Sequence, residues 1–90
     1  MKIKVLKKGK ISMKSFKVKL DSITKAKNFC YVASKFDNDI DLVSGRYAVD
    51  AKSILGIFSL DLSKELVCEM ATDLDSDVEA FQKELASINS

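Results

Sequence analysis

Residues 49–60 read Val49-Asp50-Ala51-Lys52-Ser53-Ile54-Leu55-Gly56-Ile57-Phe58-Ser59-Leu60. The run closes one short strand, RYAVDA (46–51), and opens a short helix over KSILGIFSL (52–60), with Ser53 placed as its N-cap and Gly56 inside it. Upstream, DIDLVS (39–44) is the partner strand of a hairpin that turns at Ser44-Gly45, where glycine permits a positive φ. Downstream, ELVCEMA (65–71) alternates Leu66, Cys68 and Met70 inward as a strand. A last helix from Ser76 to Ile88 turns Val78, Phe81 and Leu85 to one side, behind a capping box of Ser76 and Glu79.

The remaining elements precede this block. SFKVKL (15–20) sets Phe16, Val18 and Leu20 against Ser15, Lys17 and Lys19, the period of a half-buried strand. From Thr24 to Lys35 the period changes, and Ala26, Phe29, Cys30, Ala33 and Phe36 share one helical face behind a cap at Ser22 or Thr24. KIKVL (2–6) alternates as well and is expected to pair with 15–20 through a turn near Gly9. The order is β, α, β, β, α, β, α with an extra strand in front, and one sheet covered by helices on one face buries these stripes most economically.

Composition narrows the chemistry. Ninety residues, 47% apolar and 31% charged, imply one soluble domain with a single core. No stretch has the length and apolarity of a membrane helix, and MKIKVLKKGKIS carries the charge of a secretion signal without its apolar region, so a cytoplasmic location is expected. Cys30 and Cys68 lack metal-ligand spacing and read as reduced core residues. Histidine is absent from all 90 residues, which removes Ser-His and Cys-His nucleophile pairs, His-bound metals and phosphohistidine. Gly9, Gly45 and Gly56 are too far apart to form a phosphate-cradling loop.

The net charge of +2 conceals an asymmetry: residues 1–35 hold eleven lysines against Asp21, and residues 36–90 hold four basic and twelve acidic side chains. A basic leading segment could meet nucleic acid. Its lysines alternate with apolar residues, however, and Phe16 is the only aromatic in the first 20 positions, so a solvated strand face is favoured.

With Lys52-Ser53 opening a short helix of apolar pairs after a strand, the chain resembles the HPr family, the histidine-containing phosphocarriers of the sugar phosphotransferase system (PTS). The resemblance runs over residues 15–88, with SFKVKLDS similar to the family's first strand and ASKFDNDIDL (33–42) to the end of its first helix and its second strand. It implies an α+β, open-faced β-sandwich. A four-stranded antiparallel sheet, or five strands with the N-terminal one, is covered on one face by three helices. Residues 1–14 would be an extension and 15–90 the domain. The family's loop after the first strand carries Gly-x-His-Ala-Arg-Pro, whereas here Asp21-Ser22-Ile23-Thr24-Lys25 runs straight into the helix, about three residues shorter and without histidine, arginine or proline. A family member without carrier activity is therefore expected, and not an enzyme.

Four groups of residues compete as sites. Ser53 matches the serine that a dedicated kinase phosphorylates in members from low-GC Gram-positive bacteria; the plainer reading is an N-cap. Ile54, Leu55 and Phe58, with Lys52 beside them, match the family's docking patch, Ile57 and Leu60 pointing to the core; the plainer reading is a short helix buried all round. Ser22, Thr24, Lys25 and Lys27 stand where the family's phosphoryl group would sit, so a remnant anion site competes with a simple cap. Asp73, Asp75, Asp77, Glu79 and Glu84 match a calcium-loop spacing, but Val78 stands where glycine is needed and the apolar spacing demands a helix. No metal and no cofactor are expected. The reading is a regulatory or adaptor protein switched by serine phosphorylation, with a plain structural or interaction domain as the alternative. Its partners would be proteins: an HPr-type serine kinase, and a transcriptional regulator or PTS component. Membranes are excluded, nucleic acid is disfavoured, and the chain is expected to be a monomer or weak dimer.

Overall fold

The computed structural model describes residues 12–89, among which β1 (Met13–Val18), α1 (Ile23–Ser34), β2 (Ile40–Ser44), β3 (Tyr47–Asp50), α2 (Ile54–Phe58), β4 (Leu66–Ala71) and α3 (Asp75–Asn89) follow in chain order. The strands form one antiparallel sheet in the order β1-β4-β2-β3. The architecture is the α+β open-faced sandwich. The expected strand over residues 2–6 lies outside the described residues.

Strand alternation builds the layers. Phe16 pairs with Cys68, Val18 with Leu66, and Leu42 with Cys68, so the apolar side chains of β1, β4 and β2 share the face that the helices cover. Ser15, Glu69, Asp41 and Asp50 fall in one row on the opposite face. β1 starts and ends two residues earlier than the pattern suggested; Leu20 lies past its end yet is buried in the core. The β2–β3 turn is Gly45-Arg46, with Gly45 at φ +60° and Arg46 outside the positive region, the glycine-first arrangement of a two-residue hairpin.

The core collects Phe29, Val32, Ile40, Leu42, Ile57, Leu66, Cys68, Met70 and Phe81. Phe81 meets Phe16, Phe29 and Phe36 edge-to-face at ring-centre distances of 5.8, 5.6 and 5.3 Å, which joins α3 to β1, to the middle of α1 and to the segment just past its end. In α1 the buried residues are Ala26, Phe29, Val32 and Ala33. Val32 was not on the expected stripe, and Cys30 and Phe36 lie at its margin, so the buried face is rotated slightly from the one the spacing suggested.

The capping box at Ser76 and Glu79 does not form. Helix α3 already begins at Asp75, which places Ser76 inside the first turn. Thr72, the buried polar residue of the described chain, takes the capping work instead: its hydroxyl accepts from Leu74 N at 3.0 Å and donates to Asp77 Oδ2 at 2.5 Å. Asn38 Nδ2 donates to the Ala71 carbonyl at 3.1 Å and to the same Asp77 oxygen at 3.4 Å. The start of α3 is thus tied to β4 and to the entry of β2. Because α3 runs through Asp75, Asp77, Glu79 and Glu84, those acids line a helix rather than a calcium loop.

Candidate functional site

Helix α2 is only five residues long, and local hydrogen bonds hold each end. The Asp50 side chain accepts from Lys52 N at 2.9 Å and the Asp50 carbonyl from Ser53 N at 3.0 Å, which folds the chain out of β3 into a tight turn. Ser53 then takes an extended conformation (φ −108°, ψ 110°), and its hydroxyl accepts from Gly56 N at 3.2 Å. At the other end Ser59 Oγ donates to the Gly56 carbonyl at 2.6 Å. A Cβ on Gly56 would lie 3.2 Å from Val49 Cβ and 3.3 Å from Ser53 Oγ, so glycine is what lets α2 lie close on β3 with the serine folded over it.

This placement divides the apolar side chains of α2. Ile57 is fully buried and Leu60 packs at the core margin, whereas Leu55 is 79% exposed and Phe58 40% exposed, with Ile54 half-buried between them. Ser53 is half-buried, its hydroxyl at the rim of this apolar surface. Lys52 does not extend freely into solvent: its ammonium donates to the Phe36 carbonyl at 2.7 Å, just beyond the end of α1.

The start of α1 lies on the same helical layer, since α1 packs against α2. Ser22 is its N-cap, accepting from Lys25 N at 3.1 Å. Lys25 Nζ lies 3.2 Å from Asp21 Oδ1, and this lysine holds the Asp21 carboxyl below the usual range, so the cation nearest the helix start already has a carboxylate beside it. Thr24 and Lys27 are exposed. Ile23, the first residue of α1, is 66% exposed at this end, an apolar side chain left on the surface.

The two thiols are free. Cys68 is buried in β4, where desolvation pushes its thiol up to about 12; burial also raises the half-buried Cys30. Neither forms a reactive thiolate near neutral pH. No helix among the described residues is long and apolar enough to cross a membrane.

The family model described as the PTS HPr component phosphorylation site matches residues 23–89. Among solved structures the chain is similar to HPr-C-His from Thermoanaerobacter tengcongensis, with 30% identity, a TM-score of 0.65, and coverage of 86% of this chain and 92% of that one. It shares the fold of the phosphocarrier protein HPr from Bacillus anthracis at 23% identity and TM-score 0.61, covering 81% of this chain and 96% of that one. It also shares the fold of a Mycoplasma histidine-containing phosphocarrier protein at 17% identity and TM-score 0.62, covering 82% and 93%. No curated protein matches the sequence. The chain belongs to the HPr family of the phosphotransferase system, whose members are carriers that work with other proteins and are not enzymes.

Proposed function

We propose that this protein is a regulatory adaptor within the phosphotransferase system, without the carrier's own reaction, switched by phosphorylation of Ser53. The carrier reaction stores a phosphoryl group on an imidazole, and these 90 residues contain none. A serine or threonine ester is too stable to replace it as a readily reversible donor. What remains suits recognition rather than transfer.

The observation that carries the reading is the pairing of a half-buried Ser53 hydroxyl with the exposed side chains of Leu55 and Phe58 on one short helix. An aliphatic and an aromatic side chain left in water beside a modifiable hydroxyl fit a transient protein interface. In the proposed step Ser53 Oγ attacks the γ-phosphorus of ATP bound to an HPr-type serine kinase; an O–P bond forms, ADP leaves, and the hydroxyl proton passes to a base of the kinase. The added charge of nearly −2 alters the surface presented to a regulator or PTS component in the cytoplasm.

The experiment is a pair of phosphorylation assays read by mass spectrometry. The kinase with ATP is expected to add one acid-stable phosphate at Ser53, and enzyme I with phosphoenolpyruvate to add none. Acid-labile phosphate from enzyme I would restore the carrier reading. A kinase that modifies an ordinary family member but ignores this chain would leave a plain interaction domain.

A further inference from the structure

Strand β3 is one edge of the sheet among the described residues, beside a groove between Tyr47–Val49 and the Ser59–Lys64 segment. Ala51 N donates to the Ile40 carbonyl at 2.9 Å, which fixes the ladder's alternation: residues 47, 49 and 51 bond inward to β2, and the N–H and C=O of Ala48 and the N–H of Asp50 point away from the sheet. An unpaired edge of this kind is a template for an added strand.

The groove beside it has a defined chemistry. Val49 and Leu60 give it an apolar floor, and Tyr47, 69% exposed, gives it an aromatic wall. Arg46 and Lys64 stand at the turn end, and neither has an ion-pair partner among the described residues. The one acid of the groove, Asp61, is engaged locally, its Oδ1 accepting from Ser63 N at 3.1 Å and from Ser63 Oγ at 2.6 Å, with the Lys64 charge a lesser influence on it.

We infer that β3 and this groove form a docking site for an extended segment of a partner protein, added antiparallel to β3 with acidic residues at the Arg46/Lys64 end. The edge supplies main-chain hydrogen bonds, the Val49–Leu60 floor takes alternate apolar side chains, and the Arg46 and Lys64 cations at the turn end set the direction. The site is separate from Ser53 and the exposed side chains of α2, and it does not depend on phosphorylation.

The test uses the full chain, isotope-labelled for amide NMR, titrated with two peptides of equal composition: acetyl-Lys-Val-Thr-Val-Glu-Glu-amide and its charge-reversed counterpart, acetyl-Glu-Glu-Thr-Val-Val-Lys-amide. The first is expected to shift the amides of residues 47–50 and 60–64 and to slow exchange of the Ala48 and Asp50 amides about tenfold. An R46E/K64E double variant, whose own spectrum reports that it is folded, is expected to bind the first peptide at least about tenfold more weakly. Equal binding of both peptides, unchanged affinity in the double variant, shifts confined to α1 and α2, or no shifts at all would each overturn the proposal.

Discussion

Lys52 Nζ donates to the Phe36 carbonyl oxygen at 2.7 Å, so the residue that opens α2 is hydrogen-bonded to the chain leaving α1. That carbonyl follows the C-cap residue Lys35 and has no helical partner, and the lysine supplies one.

Replacing Lys52 with Met keeps much of the stem and removes the ammonium. The expected cost is about 1 kcal/mol in urea unfolding, near the middle of the range for a hydrogen bond in a half-exposed setting. A residue held out only for partners would leave stability unchanged, so an unaltered midpoint would return Lys52 to that role alone.

The start of α3 offers a sharper contrast. Thr72→Val preserves shape but leaves Leu74 N without its acceptor and Asp77 without its hydroxyl donor, and should cost about 1–3 kcal/mol. Ser76→Ala, which would be costly if the expected capping box existed, should stay within about 0.5 kcal/mol because Ser76 is exposed inside the helix. Equilibrium denaturation of the two variants side by side decides between the two caps.

The dependence of stability on pH follows from the groups that shift. Asp21 is held below its ordinary value of 3.8 by Lys25, Asp61 by Ser63, and Asp73 by hydrogen bonds from Ser12. A carboxyl lowered in the folded state contributes stability that is present above its unfolded value and lost as pH falls through the folded one. The thiols have the opposite sense: Cys68 rises from 9.0 to about 12, so its protonated form favours the folded state and that advantage is lost between those values. With no imidazole in the chain, thermal unfolding should be nearly flat from about pH 5 to 8, falling below about 4 and again above about 9. A step in melting temperature near pH 6.5 would contradict this.

Much of the fold was legible because its signals are periodic. Phe16 and Val18 alternate with lysines, Leu66, Cys68 and Met70 alternate in β4, and Phe81 and Leu85 recur at helical spacing, so each buried face could be assigned before any contact was known. The Thr72–Asp77–Asn38 network escaped because it joins residues far apart in sequence through hydrogen bonds that carry no period. Lys52 illustrates the same limit at the candidate site: its charge reads as exposed, and only the packing of α1 against α2 brings Phe36 O within reach. The dipeptide Lys52-Ser53 marked where to look, while the burial that separates Leu55 from Ile57 depends on how α2 lies on β3.

The last prediction separates the cap from the switch at Ser53. Ser53→Ala removes the acceptor for Gly56 N and should cost about 1 kcal/mol, whereas Ser53→Asp, itself a good N-cap, should cost less. Both variants remove the phosphorylatable hydroxyl, so both should be inert to the kinase. Leu55→Ala keeps Ser53 and, at 79% exposure, should change stability by no more than about 0.5 kcal/mol. If Leu55 forms part of the docking surface, its truncation should weaken kinase or partner binding by about 1 kcal/mol or more, five- to tenfold in affinity. Calorimetric titration of the folded Leu55→Ala variant measures this directly. A loss of binding confined to Ser53→Ala, with Leu55→Ala at full affinity, would show that the hydroxyl is recognised without the apolar surface beside it.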